Sequence, residues 1–199
     1  MIALEEHFAA QATLDAATAS GIPNQLFPKV VMDNLLDLGE SRLRNMDRGN
    51  TSIQVASHIP AVQTPDLCRA VNDRRFKVVG SSGGRLRGFS TLPIGSPDAI
   101  PAELEKCIKQ LGFVDALIPN HANDTYYDGA AYWPMFARAQ ELDVPIYIPP
   151  KSAVDLQSYA GNYDSVVQML IAGPALSWHT DVAMHILRLY ASGVFDGYP

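Results

Sequence analysis

Cysteine is scarce: the 199 residues hold two, Cys68 and Cys107, far apart and both in helix-like segments. A disulfide framework is therefore not expected, and reduced thiols in a cytoplasmic protein are the simple reading. Charge is also sparse, at 18% of residues, and 15 Lys+Arg against 21 Asp+Glu leave a net charge of −6. No basic stripe or cluster is present that could track a phosphate backbone, so nucleic acid is excluded as a partner. No apolar run approaches the ~20 residues of a membrane helix, so no membrane partner is expected either. The opening Met1-Ile-Ala-Leu-Glu-Glu-His7 places acids where a secretory signal carries positive charge. Gly-x-Gly-x-x-Gly, Gly-x-x-x-x-Gly-Lys-Ser/Thr and Gly-x-Ser-x-Gly are all missing. Their absence disfavours a dinucleotide fold, a phosphate loop and a serine nucleophile elbow.

Hydrophobic residues, by contrast, reach 47%, enough for an ordinary globular core. Short apolar runs at 1–4, 52–57, 86–92, 113–118 and 144–148 read as strands. Between them, residues 34–47, 66–79, 97–111 and 131–142 carry apolar positions at helical spacing. Further helices are expected at 163–170 and 174–192. Residues 8–30 read as a long loop with one helical turn. Five strands thus alternate with helices, and each strand is apolar nearly throughout. That pattern predicts an α/β fold: a parallel sheet with helices outside, either doubly wound or a (β/α) barrel, in a single domain spanning 1–199.

In such folds chemistry collects where strands end. Strand one runs into Glu5-Glu6-His7, strand two into His58, strand three into Thr91, strand four into Asn120-His121, and strand five into Pro149-Pro150-Lys151. Glu5 and His7, two apart on a strand, share a face. A carboxylate and an imidazole form half of a zinc or manganese site, which would need roughly two more protein ligands. Tyr126, Tyr127, Trp133 and Trp178 are either packing residues or a wall for an aromatic ligand. His179 and His185, on the last long helix, read as surface or packing residues.

Several phrases occur in this order in one known family: Ala3-Leu-Glu-Glu-His7, Ser41-Arg-Leu-Arg-Asn-Met-Asp47, Leu111-Gly-Phe-Val-Asp-Ala-Leu117, Asn120-His-Ala-Asn-Asp-Thr-Tyr-Tyr-Asp-Gly129, Leu142-Asp-Val-Pro-Ile-Tyr147 and His185-Ile-Leu-Arg-Leu-Tyr-Ala-Ser-Gly193. The chain resembles the amidohydrolase-related decarboxylases, the γ-resorcylate and 2,3-dihydroxybenzoate group, in a fungal-type branch. The resemblance implies a (β/α)₈ barrel, a divalent metal, and non-oxidative loss of carbon dioxide from a phenolic acid. It also exposes two departures. The family carries a metal-ligand histidine after strand five, where this chain has Pro149. The family's next strand, with a catalytic histidine, and a later metal-binding aspartate would both follow Pro199. The expected architecture is therefore an incomplete barrel of about five βα units, lacking the last strands, with open sheet edges that favour a homo-oligomer.

Three functions remain open on these grounds. The first is a metal-independent lyase, cyclase or isomerase without cofactor, acting on a small phenolic or polyketide-like substrate. It would use Glu5, His7, His58 and His121 for acid–base chemistry and Asn120, Tyr126 and Tyr127 for binding. An unperturbed imidazole titrates near neutrality and suits that task. The second is a metal-dependent aromatic-acid decarboxylase. The third is a non-catalytic remnant or binding subunit. A place in secondary metabolism fits the first.

Overall fold

The computed structural model describes residues 1–21, 28–59, 64–122, 125–150 and 155–199. Lys151 and part of the segment 8–30 lie outside them. Five strands are present: β1 (Ile2–Phe8), β2 (Ile53–His58), β3 (Leu86–Thr91), β4 (Asp115–Leu117) and β5 (Ile146–Tyr147). They form one sheet in the order β1-β2-β3-β4-β5, every pair parallel. Helices α1 (Gln11–Ala19), α2 (Lys29–Leu36) and α3 (Glu40–Arg48) join β1 to β2. Helices α4 (Pro65–Ser81), α5 (Ile100–Lys109) and α6 (Trp133–Leu142) make the next three crossovers, and α7 (Ser165–Ile171), α8 (Ser177–Ala191) and α9 (Val194–Gly197) follow β5.

Local chemistry sets these boundaries. Helix α4 opens on Pro65, whose missing N–H would have no partner in a first turn anyway. Helix α5 carries Lys106 and Lys109 in its last turn, where cations complement the helix dipole. Asp164 caps α7, its carboxylate accepting from the Val167 N–H. The segment 34–47, expected as one helix, is two, because Asp37 turns its side chain back to accept from the Gly39 N–H at 2.7 Å and ends α2. Residues 8–30 hold more helix than expected, since α1 runs for nine residues. Strands β4 and β5 are shorter than the apolar runs suggest. Pro145 and Pro149 bracket β5, and neither can donate to a ladder. Strand β1 is longer than the apolar run, continuing through the polar Glu5-Glu6-His7.

The sheet has two distinct faces. Val55, Phe89, Leu117 and Tyr147, one each from β2 to β5, pack together on the concave face. Ala56 packs with Phe8 and Val71 on the helix side, and Ala116 joins Ile100, Leu104, Met135 and Ala139 there. Packing is tight over Gly88, on the helix side of β3. A Cβ at that residue would stand 2.9 Å from the Arg75 side chain and 2.9 Å from the Phe113 ring, so only glycine fits. Arg75 is buried there under the Phe8 ring, 4.5 Å from its centroid, and donates to the Thr91 hydroxyl.

Curvature makes this sheet a half-barrel. Laid flat, β1 and β5 would stand about 19 Å apart, four spacings of ~4.8 Å. Yet the Tyr147 hydroxyl on β5 donates to the Glu5 carboxylate on β1 at 2.7 Å. No tyrosine and glutamate together reach across a flat sheet, so the two edges must curl toward each other. The fold is the expected partial (β/α) barrel. On its outer edge, Ile2 and Leu4 of β1 are exposed, at 62% and 61%.

Candidate functional site

Two groups of polar residues form at the ends of the strands. The first lies on the concave face. Glu5 sits at a bulge: the β1–β2 register shifts between Ala3 and Glu6, and Glu5 itself has φ +60°, a left-handed backbone rare for a residue with a side chain. Its carboxylate stands 3.9 Å from His7 Nε2, while His7 Nδ1 lies 2.8 Å from the Ser57 hydroxyl. With Tyr147 on the other Glu5 oxygen, the group reads Tyr147–Glu5–His7–Ser57, drawn from β5, β1 and β2. The side chains of His7 and Glu5 keep 37% and 25% of their surface, enough to meet a ligand. The Glu5 contact, burial and the neighbouring Asp115 carboxyl push the Tyr147 phenol up to about 12, so it remains a neutral donor. Burial pushes Asp115 itself up to about 7.

The second group fastens α8 to the end of β4. Asp181 accepts from Asn120 Nδ2 at 2.7 Å and from the Tyr126 hydroxyl, and lies 3.4 Å from His121 Nε2. The wholly buried His185 pairs Nδ1 with Asn120 Oδ1 at 3.1 Å and accepts from the Tyr127 N–H. Burial holds the His185 imidazole down to about 4, against the pull of Asp128 and Asp181. Arg188 grips Asp128 with two hydrogen bonds and covers the Tyr126 ring at 4.9 Å.

The sequence-derived candidates thus divide. Glu5 and His7 come together. Asn120, His121 and Tyr126 come together around Asp181. Tyr127 is buried completely, its hydroxyl donating to the Pro119 carbonyl at 2.6 Å, and it presents no surface to a ligand. His58 lies on the helix side, edge-on to Phe8 at 5.0 Å. Its Nε2 accepts from the Ala10 N–H at 3.1 Å, with the Thr13 hydroxyl 3.0 Å away, and its Nδ1 faces the Ile59 carbonyl. Burial pushes the His58 imidazole down to about 4. Both nitrogens are committed, Nε2 to the start of α1 and Nδ1 to the Ile59 carbonyl. Ser57, Tyr147 and Asp181 join these groups by three different routes: Ser57 faces His7 through the β1–β2 register, Tyr147 reaches Glu5 through the curvature of the sheet, and Asp181 meets Asn120 through the docking of α8.

Residues 42–199 match the amidohydrolase family. The chain belongs to that family. Two of its relatives are decarboxylases. The decarboxylase orsB of Emericella nidulans is 39% identical over 211 residues, an alignment covering 100% of this chain and 62% of the relative. The γ-resorcylate decarboxylase of Polaromonas sp. is 38% identical over 212 residues, covering 100% of this chain and 63% of the relative. Among solved structures, a dihydroxybenzoic acid decarboxylase from Polaromonas sp., with bound manganese and the inhibitor 2-nitroresorcinol, superposes with a TM-score of 0.82 at 36% identity. That match covers 100% of this chain and 62% of the other. The chain therefore spans less than two thirds of the length of these relatives.

That manganese raises the question of fit. The described residues contain no group of three or more His, Cys, Asp or Glu able to hold a metal. Glu5 has one oxygen engaged by Tyr147, and its other oxygen stands 3.9 Å from His7 Nε2. Neighbouring ligands at ~2.1 Å from one ion lie ~3.0–3.4 Å apart. Pro149, at the end of β5, is buried, and its side chain has no donor atom to offer a metal. The described residues do not assemble a divalent-ion site.

Proposed function

We propose that this chain is a metal-independent carbon–carbon lyase acting on a small phenolic or polyketide-like acid, with Glu5 and His7 as its acid–base couple. The observation that carries the reading is the accessible Glu5–His7 pair, 3.9 Å apart on the concave face, in a chain 38–39% identical to decarboxylases. Ser57 holds His7 Nδ1, which leaves Nε2 as the proton-carrying atom. A 2-hydroxybenzoate seated there would take a proton from Nε2 at the ring carbon bearing its carboxylate. The carbon–carbon bond then breaks, its electron pair restores the aromatic ring, and carbon dioxide leaves. In this proposal His121 and Tyr126, held with Asn120 around Asp181 at the end of β4, would complete the binding rim. The same couple could run a cyclisation or isomerisation, since both need one proton given and one taken.

In this proposal residues 1–199 act as one domain, in the cytoplasm, as a homo-oligomer. The unpaired edge of β1 and the exposed Ile2 and Leu4 beside it support association. Among the described residues no helix is long and apolar enough to cross a membrane. The manganese of the Polaromonas relative favours a second reading, a metal-dependent decarboxylase, and one experiment separates the two. The purified chain is assayed for carbon dioxide release from γ-resorcylate before and after chelation, with metal content measured on the same sample. Turnover that survives chelation, and is abolished by His7→Gln with an unchanged thermal midpoint, is the expected result. Stoichiometric manganese, with activity lost on chelation, would establish the second reading. A chain inert toward phenolic acids in both states would leave a binding role.

A further inference from the structure

Glu5 combines two features rarely found together. Its backbone is in the left-handed region at φ +60°, inside a bulge that breaks the register between Ala3 and Glu6. Such a conformation is strained and persists only where its surroundings hold it. Its side chain is also engaged from a strand 142 residues away, at the opposite edge of the sheet: the Tyr147 hydroxyl donates to Glu5 Oε2 at 2.7 Å. Tyr147 is itself held. Its ring lies 5.6 Å from Phe89 at 50°, within the concave cluster of Val55, Phe89 and Leu117, and β5 pairs Tyr147 with Leu117. A carboxylate has two oxygens. With Oε2 held by the Tyr147 hydroxyl, Oε1 is turned toward His7, 3.9 Å from its Nε2. Without the tyrosine, the glutamate would have the rotamers of a free side chain.

We infer that Tyr147 is a positioning residue: it fixes the orientation of Glu5 and, through Glu5, the approach of that carboxylate to His7. The inference rests on the reading of Glu5 and His7 as the acid–base couple. It adds a third residue, from a different strand, that acts without touching substrate. The 3.9 Å gap is too long for a direct hydrogen bond and wide enough for one oxygen to bridge, so a phenolic hydroxyl or a water can bond both groups at once. Holding that gap constant is the task assigned to Tyr147.

The test has two arms. The first needs no substrate. The imidazole ¹H–¹³C cross-peaks are recorded for the full chain, and that of His7 is assigned by its loss in His7→Gln. Tyr147→Phe and Glu5→Gln should each move the His7 cross-peak and leave that of the exposed His179 in place. The double variant should move it no further than Glu5→Gln alone, because Tyr147 acts through Glu5. A His7 signal unmoved by Tyr147→Phe, or shifts that add in the double variant, would overturn the inference. The second arm measures turnover of γ-resorcylate. Tyr147→Phe should lower kcat by about 100-fold, the scale of a 1 Å misplacement, with KM within about threefold. An unchanged kcat in an active wild type would also overturn it. If the wild type is inert, the acid–base reading fails while the first arm still decides what Tyr147 does.

Discussion

Asp115 offers a direct test of the electrostatics on the concave face. It begins β4, is 8% exposed, and bonds one oxygen to the Ala116 N–H, yet burial pushes its carboxyl from 3.8 up to about 7. The folded chain therefore binds this proton more tightly than the unfolded chain. For a group with a raised folded pKa, the stabilisation is complete below the unfolded value and is lost as pH rises through the folded one. The window runs from about pH 4 to pH 7. Three units at 1.36 kcal/mol each set a limit of about 4 kcal/mol. The wild-type profile alone would not isolate this effect. His58 and His185, both held down to about 4, are neutral in the fold and lose their contribution as pH falls through the same range. Asp115→Asn separates them. The amide keeps the oxygen that accepts from Ala116 and does not ionise. Urea unfolding of both proteins from pH 4 to pH 8 should show Asp115→Asn gaining on the wild type by about 3–4 kcal/mol up to pH 7 and levelling off above it. A difference that changes by less than about 1 kcal/mol across the range would refute the assignment of a buried, neutralised carboxyl.

Other outcomes follow from the packing. Gly88→Ala should cost about 1–3 kcal/mol, read from the urea midpoint, because the new methyl would stand 2.9 Å from two buried side chains that have no room to yield. His58→Ala should destabilise by about 1–3 kcal/mol, since the buried Ala10 N–H loses its acceptor at the start of α1. His185→Ala should make α8 exchange its amide hydrogens faster than α4 or α5 does, because it removes the partner of both Asn120 and the Tyr127 N–H. Equal exchange rates in α8 before and after would show that this helix is held by other contacts.

Much of the fold was legible because its signals are local. Alternation of apolar strands with amphipathic helices needs no knowledge of tertiary contacts, and it predicts a parallel sheet of five strands; their sequential order in a partial barrel is what the family resemblance adds. The misreadings have local causes too. The α2–α3 break depends on one aspartate folding back onto the Gly39 amide, a competition that apolar periodicity does not report. Strand β1 continues through three polar residues because its partner β2 supplies a ladder as far as His58, paired with Phe8.

The candidate site was half legible, and the divide falls between the histidines. His7 and His58 both end a strand, and position along the chain treats them alike. Strand parity does not. Val55 faces the concave cluster, so Ser57 shares its face and His58 takes the other, beside Ala56 and Phe8. Counting by twos from one apolar residue would have sent His58 to the helix layer and placed Ser57 where it stands, against His7 Nδ1. No such count reaches Tyr147. Its link to Glu5 joins the first strand to the last, and it exists because four successive pairings each turn the sheet a little further. Twist is a property of every strand and is written in none. A residue that acts across the curl becomes visible only when the sheet is built.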